Sequence, residues 1–299
     1  MCPMQGEVAA LGTAVCWAAG SNLFAAAGLR MGSVVLNRLR ITVAAIFLML
    51  ALLAARGSPW PTWAGTGEIA ILAASGLVGF VFGDNNYFRS LVILGPGRAA
   101  LVASLAPVFT AILGVPVLGE RLGITALGGM ALTLGGLTWV LGDRSRLGPA
   151  HVEGSVFVGI VAGILGALGQ AGGYVLSKLA LREGIDPLSA TVVRVGAATA
   201  VVWLVAVAGG SASRSLAALR DRAGAAFMVG GAFCGPFLGV TLSLVALQHA
   251  EAGVAASITA VYPILTLLLS NRFHGEPITA RVVSGAVIAF AGVVVLFLR

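Results

Sequence analysis

ASLAPVFT at residues 103–110 and TAVYPILT at residues 259–266 decide the fold, because a displacement of 156 positions lays Pro107 on Pro263 and Thr110 on Thr266. The same displacement sets Gly119 and Glu120 on Gly275 and Glu276, and Gly129 and Gly136 on Gly285 and Gly292. Correspondence held at one spacing across this distance is the mark of an internal repeat. Working outward, apolar runs of about 20 residues, the length that crosses a bilayer as a helix, fall near 7–27, 34–55, 68–92, 97–118 and 123–142. They recur near 154–180, 187–209, 224–247, 252–271 and 280–298. Short clusters of turn formers and arginine join them, at Arg56 to Pro61, Asp143 to Pro149 and Ser211 to Arg222. The expectation is an all-α integral membrane protein of ten transmembrane helices. Residues 1–147 and 148–299 would each form a five-helix unit, and five being odd, the second unit enters the membrane in the opposite sense.

Composition agrees. With 59% hydrophobic and only 10% charged residues, the chain has too few charges to cover a core with a watered surface, so lipid must be its main solvent. Long unbroken apolar stretches satisfy their backbone groups only as helices, and the alternation of a membrane β-barrel is absent. The net charge of +7 sits in connections rather than in a groove with interleaved aromatics, which argues against nucleic acid as a partner. Cys2, Cys16 and Cys234 lack paired spacing, so neither a disulfide framework nor a zinc site is expected. Cys16 follows an apolar stretch as a lipoprotein cysteine does, but Val15 and the missing basic segment favour a retained first helix. His151, His249 and His274 lack ligand spacing, no phosphate-binding loop for ATP occurs, and no metal or cofactor is expected.

A block beginning Gly83, Asp84, Tyr87, Phe88, Arg89, Leu91, Leu94 and Gly95 continues through Arg98, Ala99, Leu105, Pro107, Val108, Phe109, Thr110, Gly119, Glu120 and Leu122. It resembles the signature of the EamA family, in the drug/metabolite transporter superfamily. Gly253, Ala256, Pro263, Gly275 and Glu276 form a weaker second copy. The resemblance implies ten helices around a central cavity and export or import of amino acids, sugars, nucleotide precursors or drugs, often coupled to protons. The sequence departs from the commoner pattern at Asn85, Asn86 and Pro277.

A charged side chain at the centre of a membrane helix costs about 2.5–3.5 kcal/mol on insertion scales, so each one needs a partner or an aqueous cavity. Asp84 is the acidic residue well inside a span. It reads either as a cavity carboxylate that takes up a cation or proton, or as the anion of an ion pair with Arg89, Arg38 or Arg40. Arg40 and Arg194 hold matching places in the second helix of each half, with Asn37 and Arg38 beside the first. They suit an anionic group through their planar fork or snorkel to head groups; Lys178 and Arg182 fit the head-group role. Asn85, Trp17, Asn22, Tyr87, Gln170, Tyr174, Gln248 and Tyr262 are polar or amphipathic wall candidates. Pro107 and Pro263 are expected to kink helix interiors and free a carbonyl. Glu120 and Glu276 read as caps of following helices. Gly79 with Gly83, Ala131 with Gly135, and Gly231, Gly235 and Gly239 have the four-residue spacing of close helix contacts.

Together these features point to a secondary transporter, expected to export small amphipathic metabolites such as amino acids, in the cell membrane as a monomer or a homodimer. The reading from a different class is an intramembrane enzyme acting on a lipid-linked or prenyl substrate, with Asp84, Asn85 and Asn86 around a metal-bound phosphate. It fits poorly, since such chemistry uses several clustered carboxylates. Arginines in odd-numbered connections would put the N-terminus outside, whereas the family resemblance implies cytoplasmic termini.

Overall fold

The structure, a computed structural model, describes residues 5–119, 123–141, 155–249, 258–259, 261–275 and 277–297, and the described residues form helices and turns. Helix α1 is Gln5–Met31, α2 Ser33–Arg56, α3 Thr66–Leu94, α4 Pro96–Leu118 and α5 Ile124–Leu141. In the second half α6 is Val156–Arg182 and α7 Pro187–Ala208; the short α8 is Ala212–Ala218. Helix α9 comprises Arg222–Ala232, Phe233–Gly239 and Val240–His249 in succession; α10 is Tyr262–His274 and α11 Ala280–Phe297. Seven of these are long and apolar enough to cross a membrane: α1, α2, α3, α4, α6, α7 and the Arg222–Ser243 stretch of α9. Helices α5 and α11 are shorter apolar helices, and α10 is described over 13 residues. The expectation of ten spans is therefore carried by seven, with shorter helices where the other three fall.

The 156-residue register reappears in the backbone. Helix α3 widens to π-helical turns at Leu77–Gly83, and α9 does so at Phe233–Gly239. Helix α4 breaks after Ala103 and restarts at Ala106, while α10 starts at Tyr262; the residues before each start, Leu105 and Val261, share φ −73° and ψ −17°. Pro107 and Pro263 thus lie in the first turn of a new segment, where a missing N–H costs nothing, and not in a helix interior. Gly119 and Gly275 close the two segments in left-handed conformations at φ 70° and 68°. A Cβ at either would meet nothing within 4 Å among the described residues, so backbone strain is what is at stake. Gly119→Ala and Gly275→Ala are each expected to cost about 1 kcal/mol and to add in the double variant, read as Tm in detergent. Glu120 and Glu276, the expected caps, lie outside the described residues.

Contacts between the halves also come in exchanged pairs: α3 packs on α6 as α9 packs on α1, and α4 on α6 as α10 on α1, while α2 meets α7 and α5 meets α11. Glycines make the close crossings. Gly83 lies against Gly169, Gly79 against Gly173, and Gly235 against Gly20, as small residues do where backbones approach. The α5–α11 seam uses Gly129, Gly136, Gly285 and Gly292. Gly135, expected to pack with Ala131, has nothing among the described residues within 4 Å of its Cβ position, so that pair makes no close crossing among them. Cys16 and Cys234 are free thiols near one another across α1 and α9.

Outside the membrane-spanning segments, Asp221 caps α9. Its carboxylate accepts from the N–H groups of Ala223 and Gly224 and pairs with Arg30 at 3.1 Å. The Gly224 N–H first, and then Arg30, hold this carboxyl below its ordinary value. Its folded value being the lower one, its contribution is complete above the ordinary pKa of about 3.9 and is lost as pH falls through the folded value. Amide protection at Ala223 and Gly224 should be flat from about pH 5 to 8 and fall below about pH 4, as hydrogen exchange would report.

Candidate solute site

The polar side chains of the interior gather where the π turns of α3 meet α2 and α6. Asp84 follows directly on those turns and is 5% exposed, as is Arg40 on α2. The Arg40 guanidinium forms an ion pair with one Asp84 oxygen, and the amide of Gln170 on α6 donates to the other. Arg40 also donates from Nε and Nη2 to the Asn37 side-chain oxygen at 3.1 and 3.0 Å. Asn37 Nδ2 in turn donates to Asn85 Oδ1 at 2.8 Å and to the Phe80 carbonyl, within the π turns, at 3.0 Å. The ring faces of Phe88 and Phe24 lie 4.6 and 5.6 Å from Arg40. A buried ion pair survives in low dielectric only with its remaining lone pairs and protons satisfied, and Asn37 and Gln170 supply those bonds. The network joins two halves, since Gln170 belongs to the second.

Of the partners considered for Asp84, Arg40 is the one in contact. Arg89 is exposed, and Arg38 bonds Ser215 of α8 and stacks over Trp203 at 5.9 Å. Arg194, the counterpart of Arg40, is 8% exposed; its guanidinium lies 4.8 Å from the Phe80 ring and 5.9 Å from Tyr174. Its Nε is buried without a hydrogen-bond partner among the described residues. Gly76 and Gly79 make room for it: a Cβ at Gly76 would strike the Arg194 carbonyl, and one at Gly79 would lie 3.4 Å from Nη2. Tyr174 is 48% exposed, so Arg194 lies beneath a ring that is itself only half covered.

Tyr87, one helical turn after Asp84, shares a 3.1 Å hydrogen bond with Ser21 of α1. Trp17 meets the Tyr262 ring edge-on at 5.7 Å, and Tyr262 donates to the Ala100 carbonyl at 3.4 Å. Asn22 donates to the Ala18 and Thr266 carbonyls, and its own Oδ1 is buried without a hydrogen-bond partner among the described residues. Gln248 is on α9, but its side chain lies outside the described set. Arg182 donates to the Leu118 carbonyl, closing the end of α4 rather than pointing only to head groups. Asn37 had been legible only as a neighbour of Arg40; its amide turns out to bridge Arg40, Asn85 and the Phe80 carbonyl. Among the described residues no three His, Cys, Asp or Glu side chains are grouped to hold a metal.

Comparison with known proteins gives the class. Residues 4–142 and 157–298 each match the EamA-like transporter family, and the chain belongs to that family. It is accordingly a multi-pass membrane transporter of the drug/metabolite type. A solved structure described only as the crystal structure of a protein superimposes over 97% of this chain and 95% of its own, at TM-score 0.61 and 19% identity, which speaks to fold alone. No curated protein matches.

Proposed function

We propose that this chain is a secondary transporter that exports small amphipathic metabolites from the cell by alternating access. Its units, residues 1–147 and 148–299, would lie in opposite senses across the cell membrane and rock about the seam between them. The observation that carries this reading is the Arg40–Asp84–Gln170 network. It is a buried ionic group, costly in a membrane, that bridges the two halves beside a helix whose π turns recur in the other half. Such turns cluster at functional sites, and a bond set that spans both units must break or shift when the units move. Asp84, Asn85, Tyr87, Arg40, Arg194, Gln170 and Tyr174 would line the solute path, with Trp17 and Tyr262 on its opposite wall. If the cycle is coupled to protons, Asp84 would be the group that exchanges one. No feature of the site favours the enzymatic reading.

The test is growth of cells expressing the wild type, the Asp84→Asn variant or neither, across toxic amino acids, nucleobase analogues and amphipathic drugs. Wild type should protect against one class at least several-fold, and equally expressed Asp84→Asn should not. Protection by both would return Asp84 to a packing role. Sensitisation by the wild type would reverse the direction to import, and an unchanged profile in every class would overturn export.

A further inference from the structure

We propose that Arg194 receives an oxyanion of the transported solute, a carboxylate or a phosphate, at the place where the repeat leaves its guanidinium without the partners that Arg40 has. This rests on the transport reading above and names the solute chemistry of the same site. Arg40 and Arg194 occupy matching positions as the eighth residues of helices that begin at Ser33 and Pro187; the 156-residue register resumes at the next spans, which begin at Thr66 and Arg222. Around Arg40 the chain supplies a carboxylate, Asp84, and an amide three residues earlier, Asn37. Around Arg194 the position of Asn37 is held by Thr191, whose hydroxyl is spent on the Pro187 carbonyl at 2.8 Å. In the 156-residue register the position of Asp84 is held by Val240. The contacts that Arg194 keeps are ring faces, Phe80 and Tyr174, and it makes no ion pair within 4 Å among the described residues.

Charge counting points the same way. Asp84 is engaged by Arg40 and Gln170, so the cluster of Arg40, Arg194 and Asp84 carries one surplus positive charge inside the protein. An uncompensated guanidinium there is costly, and cation–π contacts recover only part of that cost. The fork of an arginine matches an oxyanion through two parallel bonds. Tyr174 beside it is 48% exposed, which leaves an approach to the arginine, and its ring, with that of Phe80, suits an apolar or aromatic body behind the anionic head. A solute bearing both would complete in the second half the pair that the chain completes for itself in the first.

Purified protein in detergent tests this with four probes of common shape: phenylacetate, phenyl phosphate, neutral phenylacetamide and the cation phenethylammonium. Thermal stabilisation, which reports binding to the folded state, should follow one or both anions and neither of the others; which anion prevails separates carboxylate from phosphate. Arg194→Gln should weaken the anion response at least about tenfold, as loss of a charged bond does, and Arg194→Lys should retain part of it. Without probe, Arg194→Gln should melt no lower than wild type, because a buried surplus charge has gone; a lower Tm would mark a packing role and overturn the proposal. Equal stabilisation by phenylacetamide or phenethylammonium, an anion response unchanged in Arg194→Gln, or no response to any probe would also overturn it. The growth panel would still decide transport independently.

Discussion

Arg40→Leu is expected to lower the unfolding free energy by about 3–5 kcal/mol, the usual consequence of removing one member of a buried ion pair, and to abolish transport. The Asp84 carboxylate would be left 5% exposed with Gln170 as its hydrogen-bond donor. The amide of Asn37 would lose its two bonds from Arg40 while keeping Asn85 and Phe80. The double variant Arg40→Leu/Asp84→Leu removes both charges, and replacement of buried pairs by apolar side chains is often neutral or stabilising. It should therefore regain most of the lost stability, short by about 1 kcal/mol for the bonds that Asn37 and Gln170 no longer make. Transport should stay absent, because the double variant restores packing and not the carboxylate. Tm in detergent and the growth panel separate the two quantities. A double variant that protects cells as the wild type does would show that the network serves the fold alone; one as unstable as the single variant would show that the pair specifies helix packing here.

Much of the fold could be read from the chain because the features that define it are local. Although the prolines start segments rather than kink interiors, because whether a helix is already running before a proline is not written in the proline itself, the recurrence of Pro107 with Gly119 at Pro263 with Gly275 shows the repeat directly. Apolar length does the same for the long spans. The π turns were harder to read: in Phe233–Gly239 Pro236 marks a missing N–H, but the matching turns at Leu77–Gly83 differ from ordinary helix by one hydrogen-bond step that no residue there announces. The partner of Asp84 was equally hidden. Arg38, Arg40 and Arg89 are all within plausible reach on paper, and the rotation of α2 about its axis turns Arg40 inward to Asp84 and Arg38 toward Ser215. Ala131 with Gly135 shows the converse limit: four-residue spacing marks a smooth helix face, but whether a neighbour lies on it depends on the packing of the whole bundle, and here the seam runs one residue away at Gly136.

Gly169→Val is expected to be the most damaging single change at the crossing of α3 and α6. A Cβ there would stand 2.5 Å from the Cα and 2.8 Å from the N of Gly83, and 3.0 Å from the Phe82 ring. The first two are backbone atoms, so no side chain can swing away and the helices must part. Overpacking of this kind costs about 1–3 kcal/mol, and the upper end applies because the obstruction is main chain. Separation would act next on function. Gly83 adjoins Asp84, and Gln170 adjoins Gly169, so moving α6 outward draws the Gln170 amide from the carboxylate it bonds. Transport should fall more steeply than stability, with protein that still folds at reduced temperature failing to protect cells. Gly135→Val is the matched control, with nothing among the described residues within 4 Å of its Cβ position: valine is the better helix former by a few tenths of a kcal/mol, so Tm should be unchanged or slightly raised, with growth protection unchanged. If Gly169→Val behaved like Gly135→Val in both Tm and growth, the α3–α6 contact would not be the seam that holds Gln170 to Asp84.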